Sequence, residues 1–138
     1  MYFIEGRPKH RKVVEEYVSN LMTALNIHRF TARAVNIEFK STLDEDAQGL
    51  CQGDKQVALI SINKSIPFLR QMQALAHEMV HAKQFLRGEL SHCKDNHLTW
   101  QGQAAAKVAY MSQPWELEAY RLERDLFLDC FPFDSYNG

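Results

Sequence analysis

Apolar residues recur along this chain with two different periods. Between positions 9 and 27, Val14, Tyr17, Val18, Leu21 and Leu25 fall three and four apart, which lines them along one side of a helix. From 34 to 40 the pattern becomes a strict alternation, with Val35, Ile37 and Phe39 set against Asn36, Glu38 and Lys40. That pattern predicts a half-buried strand. The polar stretch 42–54, with Gly49 and Gly53, reads as a loop or a hairpin turn. The near-continuous apolar run from Val57 to Ile62 has strand length and predicts a strand covered on both faces.

Asn63, Ser65 and Pro67 then mark a helix start. The helix runs to about Arg87 and stops at Gly88, with Phe68, Met72, Leu75, Met79, Ala82 and Leu86 as its apolar stripe. Residues 88–97 are polar and irregular. Over 98–111 the signals conflict: Leu98-Thr99-Trp100 suits a strand, and the alanines at 104–106 suit a helix. A last helix begins near Pro114, a residue favoured in the first turn, and reaches about Asp129. Helix, strands, long helix, irregular insert and helix make an α+β chain. No repeat, low-complexity tract or linker divides it, so residues 1–138 read as one domain.

Composition narrows the function classes. Net charge is −1, so no global charge points to nucleic acid or an anionic membrane. One local cluster, Arg7, Lys9, His10, Arg11 and Lys12, reads as a solvated basic end of the first helix. Three cysteines, Cys51, Cys93 and Cys130, are odd in number, widely spaced and without a CxxC. That argues against a disulfide framework and against a cysteine-built zinc site. The first residues lack the features of a signal peptide, and no apolar run reaches the roughly 18 residues of a membrane span. The expectation is a cytoplasmic protein.

The chemistry sits at His77-Glu78-Met79-Val80-His81. Positions i and i+4 of a helix share a face about 6 Å apart along the axis, so both imidazoles can reach one ion at Zn–N distances near 2.0–2.1 Å. Glu78 then stands beside the metal, placed to take a proton from a zinc-activated water. A strand before the helix gives the ligands a rigid support.

A catalytic zinc site needs a third protein ligand. The pattern HExxHxxGxxH fails here, because Gln84 and Arg87 occupy its last two positions. His92 and His97 in the polar insert are candidates. So is a glutamate of the last helix, Glu116 or Glu118, better preorganised than a loop histidine. These two stand about 200° apart around a helix, so only one faces inward. Glu116 lies in the first turn, where an acidic residue suits the helix dipole without any further role. Glu118 precedes the small Ala119, and this reasoning favours Glu118.

For the oxyanion, Tyr110, Tyr120, His92 and His97 are unranked candidates. Trp100, Trp115, Met22, Met72 and Met79 read as core. Arg121 and Asp125 read as a surface i,i+4 pair, with support of a ligand histidine as the other option.

The stretches Ala74 to Gln84, Trp100-Gln101-Gly102 and Pro114 to Ala119 resemble the gluzincin side of the HExxH metallopeptidases. More narrowly, they resemble small phage and bacterial zincin-like domains with a PWE-x-EA segment after the HExxH helix. The resemblance spans residues 74–119. It implies a minimal zincin-like fold, Zn²⁺ as cofactor, His77, His81 and Glu118 as ligands, and Glu78 as general base. A weaker similarity to SprT-type proteases makes His97 the runner-up ligand, although the Gly-Pro expected after such a histidine is replaced by Leu98-Thr99.

The expected function is a zinc metallopeptidase acting on protein or peptide substrates, with no membrane partner; nucleic acid is not the expected partner and enters only through the SprT-like alternative. The alternatives are a zinc-binding regulator or adaptor without proteolysis, a metal-free domain with a chance motif, and a SprT-like DNA-associated protease.

Overall fold

A computed structural model describes residues 1–43, 47–92, 98–104 and 113–136. Four strands, β1 (Tyr2–Glu5), β2 (Ala34–Lys40), β3 (Gly49–Gly53) and β4 (Val57–Asn63), form a sheet in the order β1-β2-β4-β3. β1, β2 and β4 run parallel, and β3 returns antiparallel along the edge. Helices α1 (Arg11–Ala24) and α2 (Phe68–Leu86) follow β1 and β4, and α3 (Pro114–Cys130) comes last. A small antiparallel sheet of β5 (Leu90–His92), β6 (Leu98–Trp100) and β7 (Gln103–Ala104) lies between α2 and α3 in sequence. The architecture is α+β. No helix among the described residues is long and apolar enough to cross a membrane.

The alternation in β2 buries Val35, Ile37 and Phe39 on one face, and Ala58, Ile60 and Ile62 of β4 share it. α2 rests across β3 and β4. The expectation for β4 is corrected here. Its other face is open, with Leu59 43 % exposed and Phe3 and Leu50 exposed beside it. The apolar run is continuous because Leu59 stays apolar on the uncovered side.

β1 and β3 were not legible as strands, and each is an edge strand held by pairing with a neighbour. The β3–β4 turn is closed by Asp54, whose Oδ1 accepts from the Gln56 and Val57 amides at 2.7 and 3.0 Å. This local side-chain turn fixes the register of the hairpin.

α2 is buried on most of its circumference. Met72, Leu75 and Met79 are fully enclosed, and the small Ala76 and Ala82 allow close approach. Each enclosed large side chain contributes about 1.5–3 kcal/mol relative to exposure. The helix ends where Gly88 adopts a φ of +74°, as a left-handed C-terminal residue does.

Three contacts fix the neighbouring helices. The Tyr17 hydroxyl donates to the Met72 carbonyl at 2.7 Å. The Asn20 amide donates to the Cys130 carbonyl at 2.9 Å. The Tyr17 ring packs edge-on against Phe127 and Phe131. A second apolar cluster of Phe85, Leu90 and Trp115 seats the start of α3 against the end of α2. Trp115, Met22, Met72 and Met79 are core residues, and Trp100 is half-buried.

Candidate metal centre

α2 points His77 and His81 toward α3. Their Nε2 atoms meet a single carboxylate oxygen, Glu116 Oε1, at 3.0 and 3.1 Å. The ligand-forming atoms of the three residues lie within 4.8 Å of one another. Around a zinc ion with bonds of about 2.0–2.1 Å, tetrahedral neighbours stand roughly 3.3–3.5 Å apart. The two nitrogen–oxygen separations come within a few tenths of an ångström of that spacing.

The outer side of each ring is also held. Glu123 Oε1 lies 3.2 Å from His77 Nδ1, and Gln84 Oε1 lies 2.7 Å from His81 Nδ1. Carboxylate oxygens only accept when ionised, so His77 Nδ1 carries a proton toward Glu123, and Nε2, facing Glu116, is the nitrogen that would exchange its proton for an ion. Two nitrogens and one carboxylate oxygen match the three protein donors of a catalytic zinc site. His77, His81 and Glu116 are the residues that would hold the ion.

Glu118, the expected third ligand, is not brought to the histidines; Glu116 is. Glu118 Oε1 accepts from Lys83 Nζ at 2.8 Å and from Gln84 Nε2 at 3.0 Å. The two glutamates do face different ways, but Glu116 is the inward one. Its place in the first turn after Pro114 and the buried Trp115 aims it at α2. His92 is exposed and stacked on Phe85, away from the histidine pair. His97, Tyr110 and Cys93 lie outside the described residues.

Glu78 is 8 % exposed. Burial raises its pKa above the usual carboxylate value, and the positive histidines only partly offset that. Burial also works against charge on His77. The bond to Glu116, the charge of Glu78 and the bond to Glu123 outweigh it, so its pKa is raised. His81 is likewise raised against burial, by Glu116 and Gln84. Burial opposes ionisation of Glu116 too, yet the two histidines hold its pKa down to about 2. Metal-free, the Glu116 carboxylate favours the protonated form of both imidazoles around it.

A cleft of about 480 Å³ opens beside the cluster, between β3 and the two helices. Gly49 and Leu50 form one wall, and Arg70, Tyr120 and Glu123 form the other with His77 and Glu78. Gly49 is there for space: a Cβ would come within 2.9 Å of Glu78 Cγ and 3.3 Å of its Oε2. Tyr120, 52 % exposed, packs its ring 4.6 Å from that of His77. A hollow of about 520 Å³ on the open sheet face, near Lys40 and Leu59, gathers no such set of groups.

Three contributors escaped the sequence reading. Glu123 stands seven positions after Glu116, two helical turns on the same face, so periodicity could have found it in place of Asp125. Arg121 and Asp125 are both exposed and form no ion pair within 4.0 Å among the described residues. Gln84 entered only as a mismatch to another pattern. Gly49 carries no signal without its tertiary neighbour. Neither a family model nor a curated protein nor a solved structure matches this chain.

Proposed function

We propose that this protein is a zinc-dependent metallopeptidase, with His77, His81 and Glu116 as ligands and Glu78 as general base. One observation carries the reading: two imidazole nitrogens of an HExxH helix converge on one carboxylate oxygen of a second helix, beside a buried Glu78 that lines a cleft. An ion held there supplies a Lewis acid and lowers the pKa of water bound to it.

The chain's own groups supply the remainder. Glu78, its pKa raised by burial, takes a proton from the attacking water and returns it to the departing amine nitrogen. Tyr120 presents a hydroxyl at the cleft to donate to the carbonyl oxygen as negative charge develops. β3 supports a peptide substrate. Among the described residues it pairs with β4 on one side only, and its Gly49–Leu50 segment lines the cleft. Such an edge can pair with an extended peptide through main-chain hydrogen bonds.

The test is cleavage of a mixed peptide library by zinc-loaded protein, read by mass spectrometry. The expected result is cleavage that a chelator abolishes, zinc restores and Glu78→Gln lacks. A zinc-loaded protein that leaves every peptide intact, or a Glu78→Gln variant as active as wild type, would sink the proposal.

A further inference from the structure

Gln84 is completely buried and makes three hydrogen bonds whose directions determine one another. Its Nε2 lies 2.9 Å from the Trp115 carbonyl and 3.0 Å from Glu118 Oε1. Both neighbours are acceptors, so that atom is the amide nitrogen and the other is the oxygen. The oxygen stands 2.7 Å from His81 Nδ1. An amide oxygen cannot donate, so His81 Nδ1 must carry a proton, and Nε2, facing His77 and Glu116, is the nitrogen that would bind an ion. The two donors meanwhile grip α3 immediately before Glu116 and two residues after it.

Resting on the zinc reading above, we propose that Gln84 is the positioning residue of the metal centre, setting the tautomer of His81 and the placement of Glu116 through one side-chain amide. It bridges ligands that lie 35 residues apart in the chain. Outer partners of this kind typically govern zinc affinity by about 10–100-fold. Gln84 holds a histidine from its own helix and the backbone of the ligand helix together, so both effects fall on one substitution.

The experiment is competitive zinc titration of wild type, Gln84→Met and the exchange variant Gln84→Glu/Glu118→Gln, alongside metal-free melting temperatures. Gln84→Met keeps the volume and removes both polar ends. The exchange variant keeps an acceptor for His81 and returns a donor from position 118. The expected result is about 10–100-fold weaker zinc binding for Gln84→Met and partial recovery in the exchange variant, which restores the His81 acceptor and the 84–118 pair but no donor for the Trp115 carbonyl. Zinc affinity, rather than melting temperature alone, separates positioning from a merely structural role.

Nitrogen-15 spectra of zinc-loaded wild type give a reading that depends on no variant folding: a slowly exchanging Nδ1–H on His81 is expected. Wild-type affinity in Gln84→Met, an exchange variant as weak as Gln84→Met, or a His81 without that Nδ1–H would each overturn the inference while leaving the zinc reading intact. A wild type that takes up no zinc would overturn both.

Discussion

Glu116 and Glu118 stand two positions apart on α3 and serve opposite sides of the same interface. Glu116 turns its carboxylate onto the imidazoles of His77 and His81, while Glu118 turns to Lys83 and Gln84. A shift of one residue in the register of α3 would turn the helix by about 100° and take Glu116 off the histidines. The seating of Trp115 against Phe85 and Leu90 therefore governs the chemistry as much as the packing.

Metal content should separate the two glutamates. Glu116→Ala should weaken zinc binding by more than about 100-fold, beyond the range typical of outer partners. Glu118→Ala should retain zinc with a smaller loss of affinity. Mass spectrometry of the intact zinc-loaded proteins reads both. Depletion in Glu118→Ala with Glu116→Ala unaffected would reverse the assignment.

Glu78→Gln should bind zinc as wild type does and lose about 10²–10⁴-fold in kcat/KM. The amide keeps the shape and hydrogen-bonding reach of the side chain and removes its capacity to take a proton. Parallel measurement of zinc affinity and peptide turnover checks this, and loss of zinc in the variant would show that Glu78 has a different role.

Gly49→Ala tests the base from the opposite wall of the cleft. The added methyl would meet Glu78 Cγ at 2.9 Å and Ile62 Cδ1 at 3.1 Å, so Glu78 must move. Overpacking of this kind typically costs about 1–3 kcal/mol. The expected outcome is a folded, zinc-binding protein whose kcat/KM falls by at least about tenfold, the scale on which 1.4 kcal/mol of transition-state positioning acts. Unchanged turnover would show that Glu78 has room to spare.

Protons and metal should compete for the same nitrogens, with opposite effects on stability. His77 and His81 have folded pKa values raised above the usual 6.5. Their contribution to metal-free stability is complete below 6.5 and is lost as pH rises through the raised values. Glu116 is lowered from 4.5 to about 2, so its contribution is present above 4.5 and is lost as pH falls toward 2. Glu78 is raised above 4.5, and its buried ionisation costs stability as pH rises from there. For this cluster, metal-free stability is therefore greatest between 4.5 and 6.5. Zinc needs neutral imidazoles, so the rise in melting temperature it produces should be larger near about pH 8 than near about pH 5.5. Thermal unfolding across that range, with and without zinc, checks the sign.

The legible parts of this molecule were those written in local periodicity. The β2 alternation gave its strand from Ala34 to Lys40, and the α2 stripe of Met72, Leu75, Met79, Ala82 and Leu86 is the face that packs in the core. The two histidines and Glu78 were legible because one helix turn brings them together. What sequence could not supply was pairing across the chain. β3 becomes a strand through β4, and Gly49 matters only because Glu78 faces it. The choice between Glu116 and Glu118 turned on a capping role that either residue could have filled. In the folded protein the first-turn residue faces α2, and its suitability for the helix dipole does not compete with ligation.

His81 and Glu116 are separated by 35 residues, and α3 is held in place by Tyr17 and Asn20 from near the start of the chain. No fragment that stops before α3 contains the centre, although it would contain the whole HExxH motif. During synthesis the histidines would emerge well before the carboxylate that gathers them. On the proposed function, hydrolytic capacity would thus arrive only with the last helix, and a nascent or truncated chain would be inert toward its neighbours.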